Sequence, residues 1–132
     1  MTVHSSPKNP FIEVFSFKED ASKPGRMLAT AKIGDVYMSR LVIDKGIVTG
    51  NYFHKKTRVM FYCANGNVLA RFEHVKTRQK KEITLTRGKQ VIHVPPYVAL
   101  STKNIGRGTA TLVFFSDRPL RSGDSFPYEI YP

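Results

Sequence analysis

Two side chains suited to proton chemistry stand two residues apart in the middle of the chain: Tyr52 and His54. An imidazole titrates near neutrality, so His54 is a candidate general base or acid. The phenol of Tyr52 is a candidate partner acid. Side chains along a strand alternate between its two sides, so both groups would face the same way. Lys55, Lys56 and Arg58 follow directly. As a site they would draw in a pyrophosphate; as a plain turn their charges need no role. Arg40 and Arg71 could cradle a phosphate, because a guanidinium fork matches its oxygens. Arg71 reads equally well as a solvated residue on a sheet face.

Other chemistry is sparse. The chain has no Gly-x-Ser-x-Gly elbow, no P-loop and no dinucleotide glycine fingerprint. Asp and Glu total 10, and no pair has a spacing that brings two carboxylates into one cleft. His4, His74 and His93 show no ligand spacing with His54. The one cysteine, Cys63, cannot form an internal disulfide. It lies in the apolar run 59–64 and reads as a small buried residue rather than a reactive thiol.

The formal net charge is +11, with a pI near 10.0. Such a surface attracts nucleic acid, phosphorylated small ligands or acidic proteins. The basic residues are spread along the sequence, with one local run at Lys76, Arg78, Lys80 and Lys81. No helical basic stripe, zinc-finger spacing or ribonucleoprotein motif accompanies them. Nucleic acid is therefore the weaker expectation and a small anionic ligand the stronger. The start is polar, no apolar run reaches spanning length, and one cysteine suits a reducing setting. The expectation is a cytoplasmic protein with no membrane contact.

Short β-elements must position these groups. Strands are expected over 11–15, 35–43, 47–54, 58–64, 67–75, 82–86, 90–94, 97–103 and 109–116, rich in β-branched and aromatic residues. Residues 18–26 read as a loop, 76–81 as an exposed hairpin tip, and Asn65-Gly66 as a two-residue hairpin turn. Pro95-Pro96 breaks the ladder. No stretch sustains a helical period. Short strands at close intervals imply an all-β sandwich or small barrel. With 132 residues and no internal boundary, the chain reads as one domain, with a loose lead-in over 1–10 and an irregular tail over 117–132.

At this point the spacing resembles a family. Gly46, Tyr52, His54, Val59 and Gly66 fall at the spacing of the first cupin motif, Gly-x5-His-x-His-x3,4-Glu-x6-Gly. Pro95, Leu100 and Asn104 fall at the spacing of the second, Pro-x-Gly-x2-His-x3-Asn. The resemblance implies a double-stranded β-helix, or jelly roll, over residues 46–104 and its flanks. It also implies lost metal chemistry, because Tyr52, Val59 and Leu100 stand where that family has His, Glu and His. No cofactor is expected. On the cupin template Tyr52 and His54 point inward, Val59 and Phe61 line the opposite wall, and Leu100 lies near. Tyr97, in the glycine position of the second motif, caps the pocket or shields the barrel end.

The phrasing around residues 46–50, 69–74, 94–96 and 104–106 is most similar to the cupins of sugar-nucleotide and surface-polysaccharide biosynthesis. That likeness implies a metal-independent cupin that binds a nucleotide-activated sugar and isomerises or epimerises it. His54 and Tyr52 would be the catalytic pair, and Lys56, Arg58, Phe61, Arg71, Tyr97 and Leu100 the ligand contacts. The alternative is a non-catalytic cupin, a small-ligand-binding or dimerising module. A homodimer is expected on either reading. The aromatic tail residues Phe126, Tyr128 and Tyr131 would cover a partner or pack on their own barrel.

Overall fold

The structure, a computed structural model, describes residues 11–130. Eleven strands account for its regular structure: β1 Lys18–Asp20, β2 Arg26–Ile33, β3 Val36–Ile43, β4 Val48–His54, β5 Val59–Asn65, β6 Asn67–His74, β7 Lys80–Thr86, β8 Val91–Val94, β9 Val98–Asn104, β10 Ala110–Ser116 and β11 Ser125–Pro127. They form two antiparallel sheets. Sheet A has the order β1-β2-β3-β10-β5-β8, and sheet B the order β11-β4-β9-β6-β7.

The connectivity is one long hairpin folded over itself. At its centre β6 pairs with β7. Around that, β5 pairs with β8, β4 with β9 and β3 with β10. From β3 to β10 each step changes sheet, except at the β6–β7 hairpin. This is a jelly roll, as the sequence implied. Alternation along each strand builds the core. Val59, Phe61 and Cys63 of β5 are buried, as are Leu112 and Phe114 of β10 and Val68 and Ala70 of β6. Phe61 stacks on Phe114 with centroids 4.9 Å apart. Burial pushes the Cys63 thiol up from its ordinary pKa, and it stays a core residue.

The cupin frame residues are the joints of this fold. Gly46 and Gly66 have φ of 76° and 91°, where a side chain is strained. A Cβ on Gly66 would also come within 2.9 Å of Ala110 Cα. Asn104 is 1% exposed. Its Nδ2 donates to the carbonyls of Ile43 (3.0 Å) and Gly108 (2.8 Å), and its Oδ1 accepts from Gly106 N (3.0 Å). One amide thus ties the end of β3 to the β9–β10 crossing.

Three expectations about elements are corrected. Residues 11–15 form no strand; the first is β1, inside the stretch read as a loop. β2 was not expected. Its Leu28 faces the core while Ala29 and Ala31 on the other side are also buried, so it lacks the one-sided alternation that marks a strand. Asn65-Gly66 is not a hairpin turn. The chain crosses there from sheet A to sheet B, and only Gly66 takes positive φ. A hairpin tip lies where one was expected but is shorter, because β7 begins at Lys80 and Lys80 and Lys81 pair with Glu73 and Phe72. His74 Nδ1 caps it, accepting from the N–H groups of Lys76 and Thr77.

Candidate functional site

The site begins with a bulge in β4. Thr49 stands opposite Thr102 and Tyr52 opposite Leu100, so two residues, Gly50 and Asn51, share one partner between them. Asn51 sits at φ 62° and Gly50 at φ 89°. A Cβ on Gly50 would lie 2.6 Å from Leu100 O, so only glycine fits. The extra residue shifts the strand's phase. Thr49 faces inward before it, and Tyr52 and His54 face inward after it. Asn51 also anchors the tail: its carbonyl accepts from Tyr128 N and its Oδ1 from Ile130 N, both at 2.9 Å.

Between the sheets, below this bulge, lies a cavity with about 80 Å³ of space for water-sized molecules. That is several times what a single water requires. Leu28, Leu41, Leu100 and Phe114 form apolar walls, and Thr49 and Thr102 give hydroxyls, their Oγ atoms 2.5 Å apart. Tyr52 lines the cavity too. No described residue hydrogen-bonds its hydroxyl, and burial pushes its pKa up to about 12. It is therefore a protonated donor facing open space. Lys23, Arg26 and Arg121 complete the lining. Burial, and then the neighbouring charge of Arg121, lower the pKa of Arg26. Arg121 pairs with Asp20. Two guanidiniums that feel each other's charge, with Asp20 paired to Arg121, leave a positive surplus that favours an anion.

His54 stands behind Tyr52. Their rings meet edge-on, centroids 5.1 Å apart. His54 is 5% exposed and does not line the cavity. Its Nε2 lies 3.3 Å from the carbonyl of Leu120. A carbonyl only accepts, so Nε2 carries the proton and Nδ1 the lone pair. Burial lowers the pKa of the ring, against the opposing effects of that carbonyl and of Asp124 and Asp117. The imidazole is neutral at physiological pH.

The tail is the cavity's third wall. Leu120, Arg121 and Ser125 reach it, and β11 pairs with β4. Asp124 clamps the tail to the β4–β5 crossing by accepting from the N–H groups of Lys55, Lys56 and Thr57 and from the Thr57 hydroxyl. Burial raises that carboxyl, but these four donors outweigh it and hold the pKa well below the usual carboxylate range.

Of the residues expected at the site, Tyr52 and Leu100 line the cavity. Phe61 is in the core behind Phe114. Lys56 and Arg58 are exposed on the crossing, where their backbone N–H groups hold Asp124 and Asp117. Arg71 lies on the outer face of sheet B, 2.6 Å from Glu82. Tyr97 takes φ 68° in the motif's glycine position and packs outside against Phe53 at 6.2 Å, with Lys76 over its ring. Arg40 lies on the outer face of sheet A, over the Phe17 ring. Phe126 and Tyr128 pack on their own barrel around Phe53, at 5.6 and 6.1 Å. Tyr131 and His4 lie outside the described residues.

Sequence reading missed Lys23, Arg26 and Arg121, which come from three separate segments and share no motif. Gly50-Asn51 within a strand was a readable bulge signal. A divalent metal does not fit here. Tyr52, Val59 and Leu100 occupy three of the four ligand positions, and a hydrocarbon cannot ligate. Among the described residues no three His, Cys, Asp or Glu gather as potential ligands.

A jelly roll of nested hairpins enclosing a cavity, with this frame at its joints, defines a cupin, and the solved structures agree. The chain is similar to CapF, a capsular polysaccharide assembling protein from Staphylococcus aureus, with TM-score 0.78 and 19% identity over 89% of this chain and 34% of that one. It is similar to CapF bound to the inhibitor 3-isopropenyl-tropolone, with TM-score 0.76 and 19% identity over 94% of this chain and 37% of that one. An oxalate oxidase matches with TM-score 0.65 and 15% identity, over 74% and 54% of the two chains. The chain thus spans little more than a third of the length of the CapF chains. No curated protein sequence matches it. The family described as "FdtA: WxcM-like, C-terminal" matches residues 29–124, well over half the sequence, and the chain belongs to that family. Among the described residues no helix is long and apolar enough to cross a membrane.

Proposed function

We propose that this cupin works in the cytoplasm without a metal on a nucleotide-activated sugar in polysaccharide biosynthesis, as the sequence resemblance implied. The observation that carries the reading is the Tyr52 hydroxyl, without a partner among the described residues, in a cavity lined by Lys23, Arg26 and Arg121. The Tyr52 side chain is half-buried, and a hydroxyl facing into such a cavity with no partner among the described residues is left for a ligand or water to satisfy. The enclosed part suits a sugar ring between apolar walls and threonine hydroxyls. The diphosphate then lies at the mouth, on the two guanidiniums and Lys23. The CapF neighbours, a capsular polysaccharide assembling protein among them, agree in setting.

Isomerisation or epimerisation next to a keto group needs a base for the α-proton and a donor for the enolate oxygen. Tyr52 is the donor: it stays protonated and touches the cavity. His54 is the candidate base, through the lone pair on Nδ1. As the proton leaves carbon, its electron pair moves into the enolate. For epimerisation a proton returns to the same carbon from the opposite face. For isomerisation it is delivered to the former carbonyl carbon, while the hydroxyl on the α-carbon gives up its proton to become the new carbonyl; the old carbonyl oxygen, protonated from Tyr52, becomes the hydroxyl. Turnover requires His54 to reach the ligand from behind Tyr52; binding does not. The Leu120 carbonyl on His54 favours the second reading, a non-catalytic binding module with His54 as a structural residue. A homodimer belongs to both.

The test is titration calorimetry with uridine and deoxythymidine diphosphate sugars, followed by proton NMR in heavy water with a 4-keto sugar nucleotide. Binding with loss of the α-proton signal, abolished in Tyr52→Phe, supports catalysis. Binding without exchange supports the module. No binding of any sugar nucleotide overturns both.

A further inference from the structure

The cavity mouth lies on a seam between the two sheets. On one side is β1, the edge strand of sheet A, with the turn that leads into β2; on the other is the tail that leads into β11, the edge strand of sheet B. All three cations of the cavity lining come from this seam: Lys23 from the turn, Arg26 from the first position of β2 and Arg121 from the tail. They are not equivalent. Among the described residues neither Lys23 nor Arg26 forms an ion pair. Arg121 is tied down, because its Nη1 donates across the seam to Oδ2 of Asp20. The other carboxylate oxygen, Oδ1, accepts from Ser22 N at 2.9 Å. Ser22, and then Arg121, hold the Asp20 carboxyl down at a pKa of about 2, so it is fully charged at neutral pH. Asp20 does not itself line the cavity. It acts there only through the guanidinium it holds.

The two ends of this pair are firmly held, and the contact between them is not. The main chain around Arg121 is fixed by His54 Nε2 at the Leu120 carbonyl and by the Asp124 clamp. Asp20 is fixed by Ser22. The ion pair itself joins side chains 31% and 42% exposed, and water screens most of such an attraction. A phosphate can offer the same guanidinium two oxygens in a matching fork, and it meets Arg26 and Lys23 as well. We propose that Asp20 is a built-in competitor for the cavity's anionic ligand: a phosphate of the ligand displaces the Asp20 carboxylate from Arg121, whose side chain turns from the seam onto the ligand while Asp20 stays with Ser22. A neutral molecule has nothing to offer the guanidinium and leaves the seam tied. The exchange rests on the reading above that a diphosphate lies at this mouth, and it adds the residue that sets how tightly that group is held.

Calorimetric titration with inorganic pyrophosphate tests it, because pyrophosphate carries the charged group without the sugar. Asp20→Asn keeps an acceptor for Ser22 N and removes the charge. It should bind pyrophosphate about three-fold to five-fold more tightly than the unaltered chain, the gain expected from freeing an exposed ion pair. Arg121→Gln should bind about ten-fold more weakly, and in that background Asp20→Asn should bring no gain. Glu19→Gln removes the neighbouring exposed carboxylate of β1 and should leave the affinity unchanged. Circular dichroism confirms that each variant is folded. Binding to the unaltered chain with no gain in Asp20→Asn overturns the exchange alone and leaves the anion site standing. A gain that persists without Arg121, or an equal gain in Glu19→Gln, overturns it too, because long-range charge then accounts for the effect. No pyrophosphate binding to any of these chains overturns the exchange and the diphosphate reading together.

Discussion

Two residues of β9, four positions apart, behave in opposite ways. Asn104 keeps its cupin identity and spends every polar atom on the backbone of its own fold. Leu100 has lost its ligand identity and faces a cavity with its hydrocarbon. The same contrast separates Gly46 and Gly66 from Tyr52 and Val59. Frame positions answer to geometry: a left-handed φ, a close backbone approach, three crossing hydrogen bonds. Former ligand positions answer only to what the cavity holds. Fold and chemistry are therefore separable in this protein, and a chain can keep the first while exchanging the second.

The largest expected effect comes from breaking the frame. Asn104→Ala leaves two carbonyls and an N–H unpaired beside a small void and should cost about 3–4 kcal/mol. The denaturant midpoint should fall with an unchanged slope. Gly50→Ala forces a side chain into φ 89° and against Leu100 O, and should cost about 2–3 kcal/mol by the same measurement. A cavity-side change should cost far less. Tyr52→Phe removes a hydroxyl with no partner among the described residues, so stability should move by less than about 1 kcal/mol, while sugar-nucleotide binding weakens. A large loss of stability in Tyr52→Phe would erase the distinction drawn here.

Acid titration sharpens the contrast more gently. The pKa of His54 is lowered on folding, so the unfolded chain binds the proton first. Stability should start to fall as pH drops through about 6.5. His54→Gln should flatten that part of the profile. The pKa of Asp124 is also lowered, but from about 3.9, so its contribution is intact above pH 4 and is lost as pH falls below that. Asp124→Asn should reduce stability at neutral pH and remove the second decline. Thermal midpoints measured from pH 3 to pH 8 separate the two.

The legible part of this molecule was its frame. Glycine, proline and asparagine spacings are set by backbone geometry, and backbone geometry is local. The shared orientation of Tyr52 and His54 was legible for the same reason. β2 was not, because Ala29 and Ala31 are buried on the side that alternation would leave open. Asn65-Gly66 misled because glycine serves both a tight hairpin and a close crossing, here against Ala110. The basic rim was the least legible. Lys23, Arg26 and Arg121 meet only once the tail has been clamped through Asp124 and Asn51. Of the cations beside His54 in sequence, Lys56 gives its backbone N–H to Asp124 of that clamp and Arg58 gives its own to Asp117.

The central claim is that the emptied metal position is a working, metal-free ligand cavity. Its most direct test is thermal unfolding with uridine and deoxythymidine diphosphate sugars in the presence of a chelator, on the unaltered chain and on Arg26→Gln/Arg121→Gln. A ligand at about 100 times its dissociation constant should add about 2.7 kcal/mol. The account predicts a selective rise in midpoint for the unaltered chain and none for the variant, whose own midpoint stays close to that of the unaltered chain. No rise with any sugar nucleotide, or an equal rise in the variant, would contradict it.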